Sequence, residues 1–297
     1  MIVPEGHSYM FRLEQCYQDT DRTVYDRPSG SSLQAGTADR IGVTMCPMMK
    51  ADTVTRAALV TGSGRNIGRA VALALAGQGC NVVVNGSSNL AACESVAGEV
   101  EDLGARALVA MGDIGDRNAA REICRAGAAA FGRIDVLVNN AAIRPLKPFL
   151  ETTDDDWHRV LDVDLNAAFY TCHEVLPGMV DNGWGRIINL TGMNAIHGYK
   201  GRVPVSVAKH GLWGLTKALA KEFGSSGITV NAISPGPIRS EHDDAELARH
   251  IQDQVGRIPL GHLGEPDHIA SLCAYLVSDG GGFVTGQMIA CNGGAET

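Results

Sequence analysis

The chain has 297 residues, 45% of them hydrophobic, and a formal net charge of -8, enough apolar content for one large α/β domain or two small ones. Without a basic block, that acidity argues against a nucleic-acid partner. No apolar run reaches the roughly 20 residues of a membrane span, and Met1 to Gln15 lacks the apolar core of a secretory signal, so a cytoplasmic protein with no membrane partner is expected.

In chain order, residues 1–54 mix Pro4, Gly6, Pro28, Gly30 and Ser31 with scattered charges and show no sustained period. They read as a disordered extension or as sequence upstream of the true start, with a regulatory or targeting arm as the alternative. From residue 55 to 297 strand and helix alternate. Ala57 to Val60, Asn81 to Asn85, Ala107 to Ala110, Asp135 to Asn139, Arg186 to Leu190, Thr229 to Ile233 and Gln287 to Ala290 are predicted strands. Between them fall helices at Ile67 to Gly77, Leu90 to Leu103, Arg117 to Phe131, Asp154 to about Met179 and Val203 to Gly224. Asp154, Asp155 and Asp156 suit the positive end of the fourth helix. Continuous apolar strands alternating with helices predict an α/β fold, one Rossmann-type doubly wound parallel sheet in a single domain. The eight cysteines (Cys16, Cys46, Cys80, Cys93, Cys124, Cys172, Cys273, Cys291) contain no Cys-x-x-Cys pair. They are expected to be buried thiols, with neither disulfides nor a metal site.

The turn Thr61-Gly62-Ser63-Gly64-Arg65-Asn66-Ile67-Gly68 lies between the first strand and the first helix, where a dinucleotide loop belongs. Gly62 and Gly64 would let the backbone approach a pyrophosphate, and Gly68 would let the helix pack on the strand. The phosphates would then sit at a helix N-terminus.

Three further motifs follow in order: Gly112-Asp113-Ile114, Asn139-Asn140-Ala141-Ala142 and Pro235-Gly236-Pro237-Ile238. With the loop, they make the chain from about Thr55 to Gly294 resemble the short-chain dehydrogenase/reductase family. The resemblance implies a bound nicotinamide dinucleotide, a small-molecule substrate and a homotetramer or homodimer. It implies contacts from Gly62, Ser63, Gly64, Arg65, Asn66, Ile67 and Gly68 to the phosphates, and from Asp113 and Ile114 to the adenine. Asn140, Ala141 and Lys209 would reach ribose, and Pro235, Gly236, Ile238 and Ser240 would lie by the nicotinamide. Residues from about 240 to 260 correspond to the family's variable substrate loop. Asn66 stands where the family has a glycine, which is tolerable because asparagine enters left-handed conformations.

The second strand ends Asn85-Gly86-Ser87-Ser88, with no carboxylate to accept from a ribose 2′-hydroxyl. Arg65 could pair with a 2′-phosphate or simply be solvated. NADP is therefore favoured over NAD.

The family's catalytic residues carry over poorly. Aligned from Arg186-Ile187-Ile188, its serine falls on Gly192, its tyrosine on Val205, its lysine on Lys209 and its asparagine on Asp164, with Asn166 two residues away. Positioned acid–base catalysis contributes about 10²–10⁴-fold, which valine and glycine cannot supply. Four residues are candidates for the vacated role. Lys209 can hold a ribose or bind a water, and Asp164 can pair with it as a relay or as a buried ion pair. Tyr199 and His197 either supply a proton or only line the pocket. The expected function is an NADP-dependent oxidoreductase of a carbonyl or alcohol with a non-standard proton donor. The alternatives are a lyase or isomerase in the same pocket, or a catalytically silent NADP-binding sensor or partner subunit. If only the two groups are missing, Gly192→Ser with Val205→Tyr would restore activity.

Overall fold

The structure, a computed structural model, describes residues 55–240 and 255–295, all within the unit Asp52–Thr297. Residues 1–54 and most of the expected substrate loop lie outside the described residues. Among those described, seven strands form one sheet: β1 (Ala57–Val60), β2 (Asn81–Gly86), β3 (Ala107–Met111), β4 (Val136–Asn139), β5 (Gly185–Leu190), β6 (Ile228–Pro235) and β7 (Met288–Cys291). Every neighbouring pair is parallel, in the order β3-β2-β1-β4-β5-β6-β7. This is the expected doubly wound sheet.

Helices α1 (Asn66–Gly77), α2 (Leu90–Asp102), α3 (Arg117–Phe131), α4 (Asp154–Leu161), α5 (Ala167–Asn182), α6 (Val203–Phe223) and α7 (Pro266–Val277) make the crossovers and cover both faces. Successive strand residues point to opposite sides, so each strand feeds two cores. Ala58, Val60, Val82, Val84 and Val138 pack with α1, α2 and α7. Ala57, Leu59, Val83, Leu137 and Ile187 pack with α3 and α5. Two-sided burial is why these strands read as unbroken apolar runs. None of the described helices is long and apolar enough to cross a membrane.

Side chains mark several helix starts. Asn89 accepts from Ala92 N at 3.0 Å, and Asp116 accepts from Asn118 N and Ala119 N at 2.9 and 2.8 Å. The fourth predicted helix starts at Asp154 with the acidic run in its first turn, as expected, behind an N-cap at Thr153 that forms a capping box with Asp156. It needs one correction, because it is not continuous: Asp162–Asn166 forms a π-helical turn between α4 and α5. The 3.6-residue pattern cannot reveal one extra residue in a turn, and such bulges often serve functional sites.

Between β1 and β4 the connections depart to opposite ends of the sheet. The crevice at the C-terminal ends of these strands is where such folds bind ligands.

Candidate active site and cofactor cradle

The Thr61–Gly68 turn sits at that crevice. Gly62 has φ +64, and a Cβ on Gly68 would lie 2.3 Å from the Gly62 carbonyl oxygen, so space and conformation both demand glycine. Asn66 has φ 49 and is the sole non-glycine residue with positive φ among the described residues, as expected of asparagine at this place. Asn140 locks the turn from behind, its Nδ2 donating to the carbonyls of Thr61 and Gly62 at 2.9 and 3.0 Å. The Thr61 hydroxyl in turn accepts from the amides of Asn140 and Ala141 at 3.0 and 3.1 Å. Ser63 is fully buried, and its hydroxyl accepts from Asn85 N at 2.9 Å, so it braces the loop against β2. No side chain caps the start of α1, where Arg65 is the N-cap, and its first turn carries no acid. The positive end of this helix is thus uncompensated, the condition for taking an anion.

At the end of β2, Asn85 is spent on structure. Its Oδ1 accepts from Gly62 N at 3.2 Å, and its Nδ2 donates to the carbonyls of Ala110 and Gly112 at 3.0 and 3.2 Å. A Cβ on Gly86 would meet Cys93 Sγ at 2.5 Å. The exposed groups left here are Ser87, Ser88 and Arg65, whose guanidinium has no partner among the described residues.

The other motif residues line up along the same edge. Asp113 accepts from Gly115 N at 3.0 Å and pairs with Arg159 at 2.8 Å, tying its loop to α4, while Ile114 is buried beside Lys209. Gly236, after Pro235, has Asn292 Cα only 2.5 Å from where a Cβ would be. Ile238 bridges to Gly264, and Ser240 is the last residue before the undescribed segment.

Lys209 and Asp164 meet as a buried pair, their side chains 3% and 0% exposed and Nζ to Oδ2 3.4 Å. The π-helical turn presents Asp164, and α6 presents Lys209. Lys209 Nζ also donates to the Leu190 carbonyl at 3.0 Å, and Asp164 Oδ1 accepts from Ile143 N at 2.8 Å. At 3.4 Å the pair is an ionic contact and not a strong hydrogen bond, so Oδ2 is left without a full hydrogen-bond partner. Beside it lies a cavity of about 10 Å³ bordered by Thr61, Asn139, Asp164 and Lys209, close to the space of one water. Burial pushes the Lys209 pKa below the usual lysine value, while the Asp164 carboxylate pulls it back up.

This geometry has relatives. Residues 62–296 match a family model described as enoyl-(acyl carrier protein) reductase. The chain is 39% identical over 242 residues to an acetoacetyl-CoA reductase of Shinella zoogloeoides, covering 81% of this chain and 98% of that one. It is 38% identical to nodulation protein G of Azospirillum brasilense, covering 80% of this chain and 96% of that one. Among solved structures, acetoin dehydrogenase of Salmonella typhimurium superposes with a TM-score of 0.75 at 32% identity, over 81% of this chain and 95% of that one. The chain belongs to the short-chain dehydrogenase/reductase family.

Packing or backbone conformation constrains each residue aligned with the family's serine and tyrosine. Val205 is completely buried in an apolar cluster with Val160 and Ala208, joined by Ile143, Leu161 and Leu165. Gly192 has φ +98, a conformation that strains any L side chain. Asn166 donates to Asp162 Oδ1 at 2.8 Å and is engaged along its own turn. Tyr199 and His197 sit on the connection between β5 and α6, Tyr199 half-buried and His197 exposed; neither borders the cavity at Lys209. The Tyr199 amide is tied to Ser206 Oγ at 3.2 Å. Ser206 and His210 themselves bond along α6, to the carbonyls of Arg202 and Ser206.

Two charged residues near the buried pair escaped the sequence reading: Arg144, in electrostatic range of Lys209 and Asp164, and Arg202 beside it. Arg144 stands two residues after the Asn-Asn-Ala-Ala motif, and a cation so close behind it was the available signal.

Proposed function

We propose that this chain is an NADP-dependent oxidoreductase that interconverts a carbonyl and an alcohol, with Lys209, or a water it holds, in place of the usual proton donor. The observation that carries this reading is the buried Lys209–Asp164 pair set beside an intact cofactor turn. The relatives named as reductases and dehydrogenases support the reaction class.

The residues present fit the cofactor. The uncompensated start of α1 suits a pyrophosphate. Arg65, with Ser87 and Ser88, suits a 2′-phosphate, and the crowded Gly86 leaves no place for the carboxylate that would repel one. When bound, NADPH supplies the hydride. What the chain supplies is the proton. An ammonium at Lys209 Nζ is held by the Leu190 carbonyl and Asp164, and the fall in its pKa on burial makes its proton easier to give. Asp164 keeps the lysine in place, itself fixed by the Ile143 amide. Tyr199 and His197 then serve as rim residues.

The test follows NADPH absorbance against a panel of carbonyl compounds. Lys209→Ala should abolish turnover, while Tyr199→Phe and His197→Ala should each keep most of it. A loss of 10²-fold or more in either of the latter would move the donor to that residue. Substrate turnover without net NADPH oxidation would replace the redox reading with a lyase or isomerase.

A further inference from the structure

Arg144 and Arg202 are unused by the site as described so far. Arg144 follows Ile143, whose amide is anchored on Asp164, and precedes Pro145, which restricts its backbone. The Lys147 amide donates to the Gly201 carbonyl at 2.8 Å, and a Cβ on Gly201 would lie 2.9 Å from Leu146. This seam draws residues 144–147 alongside the turn that ends in Arg202. The two arginines are therefore neighbours, Arg144 on a cleft along α4 and in electrostatic range of Asp164, Lys209 and Arg202.

The charges there do not balance. Neither guanidinium has a hydrogen bond or ion pair among the described residues. Of the neighbouring side chains, Lys147 pairs with Asp156 and Arg159 with Asp113, while Asp155, exposed on the same cleft as Arg144, forms no ion pair with it. Asp164 is divided between Ile143 N and Lys209. Three cations, Lys209, Arg144 and Arg202, share one buried anion. Arg144 is solvent-accessible yet walled in by protein, and this desolvation lowers its pKa, with Asp164 opposing and Arg202 adding to the fall. Two like charges kept together with no direct ion pair are costly, and an arriving anion relieves that cost. The guanidinium fork matches two oxygens of an oxyanion, which a lysine would not.

We propose that Arg144, assisted by Arg202, binds an oxyanion carried by the substrate, making this a reductase or dehydrogenase of oxo or hydroxy acids or phosphate esters and not of neutral alcohols. This rests on the oxidoreductase reading only in calling that ligand a substrate; the anion site itself does not.

The experiment is calorimetric titration of the full chain, alone and saturated with NADP, with malonate, with inorganic phosphate and with uncharged malonamide as control. Malonate or phosphate should bind, malonamide should not, and Arg144→Met should weaken the anion at least tenfold while NADP affinity changes less than twofold. Arg144→Lys should recover only part of the loss. Tighter malonate assigns a carboxylate, and tighter phosphate a phosphate ester. Absence of anion binding, an unchanged affinity in Arg144→Met, or competition between malonate and NADP would each overturn the inference; competition would place the arginine at the cofactor's own phosphates. If anions bind as stated but no acid of either class oxidises NADPH or reduces NADP, it is the redox reading that fails.

Discussion

At Lys209 two effects oppose each other, and their balance sets a pH dependence. Burial lowers the pKa from 10.5, Asp164 raises it and Arg144 lowers it further. If the ammonium gives the proton, reduction needs the protonated form, so kcat/KM for reduction should be flat at low pH and fall as pH rises through a value below 10.5. Oxidation should show the mirror profile. Asp164→Asn removes the raising influence, so its inflection should move to lower pH; an unmoved inflection would separate the titrating group from Lys209. The same residue scale decides the fate of a repaired site. Gly192→Ser places a side chain at φ +98, which costs on the order of 1–3 kcal/mol. Val205→Tyr forces a ring into a closed apolar cluster, at roughly 1–3 kcal/mol or more. The double variant should lose several kcal/mol in urea denaturation and reduce its substrate no faster than the wild type. Faster turnover at wild-type stability would show that the packing around Val205 yields to the ring.

At the scale of elements, the turn between β1 and α1 is shaped by contacts its own sequence does not contain. Asn140 and Ala141 after β4 hold Thr61 and Gly62, and Asn85 on β2 holds Gly62 and Ser63. Gly68→Ala would drive a methyl to 2.3 Å from the Gly62 oxygen, a contact that forces the turn itself to move. We expect a stability loss of about 1–3 kcal/mol together with weaker NADPH binding by fluorescence titration. The control is Gly77→Ala in the same helix, where nothing lies within 4 Å of the added methyl; it should leave binding unchanged. The break between α4 and α5 belongs to this scale too. An extra residue per turn at Asp162–Asn166 brings Asp164 under Lys209, which a continuous α-helix read from periodicity did not foresee.

Across the whole molecule, burial on both faces of the sheet governs the cysteines. Burial pushes Cys80 up to about 11 and Cys124, Cys172 and Cys273 up to about 12, so little thiolate exists near neutral pH. Native protein treated with iodoacetamide at pH 7.5 should leave these four unlabelled by mass spectrometry, and all four should react in urea. Labelling of any of them in the native state would mean that its core layer opens locally. The expectation of buried thiols holds at Cys80, Cys93, Cys124, Cys172 and Cys273 but not at Cys291, which is half-buried, while Cys16 and Cys46 lie outside the described residues.

Much of this architecture was legible in one dimension, because parallel strands buried on both faces must be continuously apolar and their crossovers must carry helical periodicity. The order of motifs located the crevice for the same reason, since each motif follows the end of a strand. The sequence by itself also determined which residues an ungapped alignment sets beside Lys209, namely Gly192 and Val205, and that Asn66 could adopt a positive φ. Only the tertiary structure decided what fills those places: Val205 closed in an apolar cluster, Gly192 at φ +98, Ser63 and Asn85 turned to bracing the loop. It likewise decided that Asp164 reaches Lys209 and that Arg144 and Arg202 come within electrostatic range of each other. The reason is physical. Strand and helix patterns are set by neighbours in the chain, whereas the charge balance of a site depends on which distant side chains the closed core brings within a few ångströms of each other.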